Sequence, residues 1–335
     1  MGGIYLTILT QVKHILSKIL GYRSFSVLII LVGMIVAFWA ITPGHLFLSP
    51  AVIDIFLEMS PMLAIVTVAM GLLLISGEFD LSVGSTLALT ASVTAILYTT
   101  YGVDPALAIL AGLGLGGFLG FINGMIVTKL GISSLIATLG TMWAFRGVVL
   151  LITGGYEVPY YPAKTSPIFF DFFSGKIGAI YVQFIWLILV AILLWVLLEH
   201  TKFGNWIFST GSNKQSARMM GINTDRVKII CFIIVGVLSA FAGIIQATRI
   251  HVSAPWTAQT WNLEAIAGAV VGGVSLRGGV GSIIGAILGA LCIRVLSVGL
   301  TMLGLSPYHF MISVGILLIL AVAFNVIVRR RVLRR

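Results

Sequence analysis

Long apolar runs separated by short polar breaks set the plan of this chain. A membrane-spanning helix needs about 20 predominantly apolar residues. Ten stretches fit that pattern: 26–42, 53–76, 82–100, 105–127, 132–153, 181–200, 229–248, 263–275, 281–304 and 308–328. The stretch at 263–275 is short and follows a polar run, which predicts a broken or re-entrant element there. The pattern therefore predicts an all-α polytopic membrane protein of about ten transmembrane helices, with 26–328 as the transmembrane domain. Leu81-Ser-Val-Gly-Ser85 and Gly279-Val-Gly-Ser282 are weakly alike, and each opens an apolar run after a polar break. That likeness points to two pseudo-repeated halves, a common build in transporters.

Ahead of the first run, Ile8, Val12, Ile15 and Ile19 share one helical face, with Lys13 and Lys18 elsewhere. Residues 1–25 are expected to form an amphipathic helix lying at the cytoplasmic face of the membrane. Neither the solid apolar core of a secretory signal nor a myristoylation signal is present. Two hydrophilic segments stand out between the runs. Residues 154–180 carry Pro159, Pro162 and Pro167 with several aromatics and read as an irregular outer loop. Residues 201–228 are the longest charged stretch and read as a cytoplasmic coupling loop.

Composition sharpens this picture. Hydrophobic residues make up 59% of the 335 and charged ones 9%, against about a quarter charged in ordinary globular chains. Lipid is the solvent for most of the chain. The net charge of +10 would suit nucleic acid only if the basic residues shared one exposed face. They fall between apolar runs and at the termini instead, which excludes that partner. With the N-terminus inside, fourteen basic residues collect on the cytoplasmic side, including five arginines in the basic tail 329–335. Lys164, Lys176 and Arg249 remain outside, while Arg146, Arg277 and Arg294 lie in or near spans. This bias places both termini in the cytoplasm.

Gly112-Leu-Gly-Leu-Gly-Gly117 matches a dinucleotide fingerprint but lies inside a span with no preceding strand, so that reading fails. The informative spacing is Gly112, Gly116, Gly120 and Gly124, with Gly281, Gly285 and Gly289 as a second set. Glycines four apart line one helix face and let backbones approach closely. Cys231 and Cys292 lie in apolar runs as packing residues, and no metal-ligand spacing exists. Two carboxylates, Glu78 and Asp80, interrupt the apolar pattern together with Ser82. The segment is either a solvated turn with Ser82 as helix cap, or an unwound element on a translocation path. Glu264 raises the same question in the second half.

In the inner segment, Ser212 or Asn213 can cap a short helix over Gln215–Met220 that stops at Gly221. Exposed Ala217, Met219 and Met220, with Arg218 as anchor, suit a docking knob for a cytoplasmic partner. No G-x-x-x-x-G-K-[ST] occurs, so any ATP hydrolysis belongs to another subunit.

These residues resemble the ribose-type (simple sugar) ABC permease family. The likeness is carried by Phe79-Asp-Leu-Ser-Val-Gly84, Ile136-Ala-Thr-Leu-Gly-Thr-Met142 with Arg146-Gly147, and Phe203-Gly204. It continues through Gly211 to Gly221 with Ile222, then Gly272-Gly-Val-Ser-Leu-Arg-Gly-Gly279 with Gly281-Ser282. It spans roughly residues 55 to 325. The resemblance implies a homodimer or pseudo-dimer of permeases, two cytoplasmic ATPases that bind the ATP and Mg, and an extracytoplasmic sugar-binding protein. No cofactor is implied in this chain. It also implies that Asn213, Ala217, Arg218 and Gly221 belong to the coupling helix. The chain departs from the family at Phe310, Val314 and Asn325, where Gln, Lys and Asp are frequent, and at Glu78-Phe79, where Gly-Ile is usual.

The expected function is thus import of a monosaccharide, with branched-chain amino acids or nucleosides as alternative cargo. A second class is an ion-coupled transporter using Glu78, Asp80 and Glu264. An intramembrane enzyme lacks any nucleophile or metal constellation to support it.

Overall fold

The computed structural model describes residues 23–160 and 167–332. The expected N-terminal amphipathic helix lies almost wholly outside the described residues, as do Lys164 and the last three residues of the basic tail. Each of the ten apolar stretches forms a helix. In chain order the helices are α1 (Arg23–Ile41), α2 (Pro50–Ile75), α3 (Val83–Thr99), α4 (Pro105–Lys129), α5 (Ser134–Thr153), α6 (Pro167–Ser174) and α7 (Val182–His200). There follow α8 (Lys202–Ser212), α9 (Lys214–Met219), α10 (Thr224–Ile250), α11 (Trp261–Val271), α12 (Ile283–Met302) and α13 (Pro307–Val332). Six of them, α2, α4, α5, α7, α10 and α12, are long and apolar enough to cross a membrane. The apolar parts of α1, α3, α11 and α13 are shorter.

Contacts between segments fix the two ends of the bundle. At one end, the Gly279 amide donates to the Ile75 carbonyl at 2.8 Å. Gly211, at the end of α8, lies in the same junction against Ile75 and Gly279. At the other end, β1 (Val158–Pro159) pairs antiparallel with β4 (Val252–Ser253). These are called the junction end and the strand end. Helices α2 and α8 end at the junction, and α5 and α10 lead into the paired strands. Arg277 belongs to the junction end, and Arg146 reaches the loop descending from the strand end.

Local chemistry explains where the helices start and stop. Pro105 follows Asp104, whose carboxylate accepts from the amides of Ala106 (2.9 Å) and Leu107 (3.4 Å), a standard cap with proline at the first position. Gly154, at φ 63°, ends α5. Asn223 accepts from the Arg226 amide at 3.0 Å, so α10 begins five residues earlier than the apolar run. Within the spans, hydroxyls such as those of Thr67, Thr90 and Thr248 donate back to the carbonyl four residues earlier. This keeps polar side chains satisfied where no water is present.

The outer segment is more ordered than an irregular loop. It contains α6 and a two-stranded hairpin, β2 (Lys176–Ile177) with β3 (Ile180–Tyr181). The aromatics supply the reason: Phe172 meets Trp186 of α7 at 5.1 Å, and Trp186 meets Phe241 of α10 at 5.2 Å. Residues 201–228 are likewise mostly helical, as α8, α9 and the first turn of α10.

Helix α2 is buried on every side from Ser60 to Ile75 and sits at the centre, packed by α7, α10, α11 and α12. The two glycine series carry the closest helix contacts. On α4, a methyl group at Gly116 would lie 2.5 Å from the Gly236 carbonyl oxygen, and one at Gly124 would lie 2.9 Å from the Ile229 Cα. Gly120 faces the Phe232 carbonyl. Gly112 faces Thr94 and Ile244. On the second series, Gly281 faces Ile75, Gly285 meets the Gly272 backbone and Gly289 the Gly268 carbonyl. Thus α4 lies on α10, and α12 on α11, at backbone distance. In lipid, such packing replaces the hydrophobic effect as the cohesive force between helices.

A side chain at these positions must therefore force helices apart. Gly116→Leu is expected to cost at least the roughly 1–3 kcal/mol of an overpacked core. Gly114→Leu, on the same helix but facing open space, should leave stability unchanged. Thermal unfolding of both variants in detergent checks the contrast, and equal midpoints would refute the close packing of α4 on α10.

Candidate functional site

The knob predicted from sequence is formed by α9. The Asn213 side chain caps it, accepting from the amides of Gln215 and Ser216 at 3.0 Å each. The helix closes at Gly221, whose φ of 81° is a conformation side chains rarely adopt. There the Ile222 amide donates to Ala217 and the Gly221 amide to Arg218. Orphan carbonyls at the helix end are thereby satisfied. Two placements differ from expectation. Ala217 is not exposed: at 2% accessibility it packs inward. Arg218 turns back, donating to Asp225 at 2.7 Å and to Thr224 at 2.9 Å. Lys214 also reaches Asp225, at 3.4 Å. Met219 and Met220 are left projecting, 76% and 78% exposed.

The base of the knob is joined to both polar breaks of the bundle. A methyl at Gly278 would lie 2.8 Å from both the Gly211 carbonyl oxygen and the Gly77 Cα. Three glycine backbones, from the segments after α2, at the end of α8 and between α11 and α12, thus occupy one small volume. Gly77 and Gly278 also hold positive φ angles of 88° and 81°, which glycine adopts at no steric cost.

The break after α2 is not a solvated turn. Asp80 is buried, 2% exposed. It accepts from the Ser82 amide at 2.7 Å, the Ser82 hydroxyl at 2.6 Å and the Asn123 amide group at 3.0 Å. Asn123 also donates to the Ser82 hydroxyl at 2.8 Å. Ser82 stands at the N-cap position of α3 but makes no capping bond, because its hydroxyl is committed to Asp80. One residue earlier, the Leu81 amide donates to Thr138 of α5 at 3.0 Å. Glu78 forms a buried ion pair with Lys228, in the second turn of α10. Three helices, α4, α5 and α10, therefore hold this break through polar side chains.

Glu264 lies elsewhere. It sits in the first turn of α11, 4% exposed, accepting from the Thr260 hydroxyl at 2.5 Å. The chain reaches it by an irregular inward path. Arg146 of α5 donates to the carbonyls of Pro255 and Thr257, and Ala258 lies against Gly84 at the start of α3. The short span is thus broken on both sides of α11, as its polar flanks predicted. The structure brings Glu78, Asp80 and Ser82 into one break, while Glu264 belongs to the second break and bonds Thr260 rather than any of those three.

Sequence reasoning missed Asn123, Thr138 and Lys228 as partners of the break. Asn123 carried a signal, being a lone amide within the glycine-rich run of α4. Lys228 closes the charged stretch 201–228, where nothing in the local spacing says which carboxylate it meets. Among the described residues, no group of three His, Cys, Asp or Glu side chains could hold a metal ion.

Comparison with known proteins places this geometry. Residues 52–322 match the family described as branched-chain amino acid transport system / permease component. The chain is 37% identical over 279 residues to the ribose import permease protein RbsC of Bacillus subtilis (strain 168), covering 83% of this chain and 86% of that one. It is 35% identical over 296 residues to the xylose/arabinose import permease protein XylH of Sulfolobus acidocaldarius, covering 86% and 81%. It is also 35% identical over 310 residues to the D-allose transport system permease protein AlsC of Escherichia coli (strain K12), covering 91% of each. No solved structure matches the chain.

Removing one member of a buried ion pair leaves the other charge uncompensated, at about 3–5 kcal/mol. Glu78→Lys or Lys228→Glu alone should lower the unfolding midpoint and transport together, whereas the exchanged pair E78K/K228E should recover most of both. A double mutant as impaired as the singles would show that the pair does not hold the break to α10.

Proposed function

The chain belongs to the family of branched-chain amino acid transport system / permease components, and we propose that it is the membrane-spanning subunit of an ATP-driven importer for a monosaccharide. The relatives compared above are named for ribose, xylose/arabinose and allose, which favours a sugar over an amino acid or nucleoside. In this reading a second copy of the chain completes the permease. A binding protein delivers the sugar on the strand side, and cytoplasmic ATPases holding ATP and Mg dock at the junction end. Both chain termini then face the cytoplasm of the bacterial inner membrane. The solute crosses chemically unaltered, so no residue of this chain is catalytic.

The observation that carries the proposal is the α9 knob. Paired methionines on a capped, rigid turn suit a groove on a partner, because flexible thioether chains fill irregular apolar surfaces. Asn213, Ala217, Arg218 and Gly221 serve the coupling from within. They cap the turn, pack it, tie it to α10 and end it, while Met219 and Met220 make the contact. ATP-driven closure of the ATPases moves α9, and the glycine junction passes that motion to both polar breaks. Glu78, Asp80 and Ser82 hold the first break in shape, whereas Glu264 lies on the path of the solute. An ion-coupled mechanism is disfavoured because Glu78 is paired and Asp80 accepts three hydrogen bonds, which leaves neither free to bind a cation.

Substituting both projecting methionines by Asp tests the docking. M219D/M220D should reduce co-purification of the ATPase subunit and ATP-driven sugar uptake by about tenfold or more, the scale of a lost interface hot spot. Membrane insertion should be unchanged. Wild-type uptake by this variant in proteoliposomes, or uptake with no ATPase present, would sink the proposal.

A further inference from the structure

Four charged residues from four helices lie together in the half of the bundle nearer the strand end. Arg249, in the last turn of α10, pairs with Glu58 of α2 at 3.2 Å. Arg294 of α12 stands over Trp261, one helical turn from Glu264, yet forms none of the ion pairs among the described residues. Its buried Nε has no hydrogen-bond partner among the described residues, and neither has the buried Oε2 of Glu264. Arg294 is the twelfth residue of α12, about 17 Å along the helix axis from its first residue at 1.5 Å per residue. Ionisable groups at such depth are costly and rarely retained without a task.

The surroundings indicate the task. The Arg294 guanidinium lies over the Trp261 ring, 5.3 Å from its centre. Trp261 stands one helical turn before Glu264 on the same face of α11. Phe310 and Val314 of α13 supply an apolar wall beside it. The inward-folded stretch 254–260 leads the chain to this point, and irregular backbone at membrane depth is tolerated where it is buried or lines a wet cavity. A carboxylate oxygen, a guanidinium and an indole face are thus brought together, with polar atoms unmet by protein. Carboxylates and guanidinium groups bind vicinal hydroxyls through charge-assisted hydrogen bonds. The indole beneath the guanidinium fixes its place through a cation–π contact.

Resting on the reading of the chain as a sugar permease, we infer that Trp261, Glu264 and Arg294 form a polyol-binding subsite at the middle of the translocation path. Glu264 Oε2 and the Arg294 guanidinium take ring hydroxyls, and Trp261 lies under the guanidinium and reports on what binds it. Arg249 and Glu58 act behind them as positioning residues, holding the Arg294 side of the cluster neutral overall.

The test uses the full chain in nanodiscs, titrated with D-ribose, D-xylose and D-allose while tryptophan fluorescence is followed. ATP-driven uptake of the same sugars by the assembled transporter is measured in parallel. At least one sugar should change the wild-type fluorescence. Trp261→Phe should remove most of that change, and Glu264→Gln and Arg294→Lys should each weaken binding about tenfold, the scale of a lost hydrogen bond to a charged group. Their unfolding midpoints should stay near wild type. Sugar uptake by the wild type with no fluorescence change would overturn the subsite. So would wild-type titrations for Glu264→Gln and Trp261→Phe, which would make the cluster a water-filled brace only. Uptake of L-leucine and of no sugar would instead remove the monosaccharide reading itself, and the subsite with it.

Discussion

Hydrocarbon offers backbone amides and carbonyls no partners, so any stretch of this chain that leaves the helical state must be satisfied by the protein itself. The architecture follows from where that satisfaction is found. The break after α2 is met by α4, α5 and α10 through Asn123, Thr138 and Lys228. The break after α11 is tied to the end of α2 by the bond from Gly279 to Ile75. The irregular approach to α11 is met by Arg146. Each irregular stretch is anchored to helices distant in sequence, which turns ten apolar rods into one cross-braced body.

That requirement also places the knob against the core. The end of α8 is wedged between the two breaks at Gly211, and α9 follows two residues later. A displacement of α9 therefore arrives at backbone that is already non-helical and held by a few polar contacts. Such elements have discrete alternative arrangements more readily than the interior of a close-packed helix pair. Inert packing and responsive packing are spatially divided. The α4–α10 and α11–α12 contacts are glycine-lined and tight, while the hydrogen-bonded breaks sit at their ends.

Much of this was legible beforehand, and the reasons are specific. Helix existence depends on local apolar length, so all ten helices appear where the hydropathy pattern puts them. Polar flanks at 263–275 foretold the interrupted helix at Trp261–Val271. Asn213 and Gly221 are short-range cap and stop signals, acting within a few residues, and the turn between them forms as read. The aromatics of 154–180 misled, since their clustering on Trp186 and Phe241 depends on helices that lie far along the chain.

Local pattern thus determined the class of the protein, the number and order of its apolar helices, the faces that pack through glycine, and the existence of a short projecting turn. Only the tertiary structure decided which polar residues meet. It paired Glu78 with Lys228, closed Asp80 inside a network with Ser82 and Asn123, turned Ala217 inward, and set Arg294 over Trp261 near Glu264. Hydrophobic periodicity acts over one or two helical turns and is written in neighbouring residues. The pairing of a buried charge depends on which helix is packed alongside, at separations of 150 residues for Lys228 with Glu78 and 191 for Arg249 with Glu58, and no local spacing encodes it.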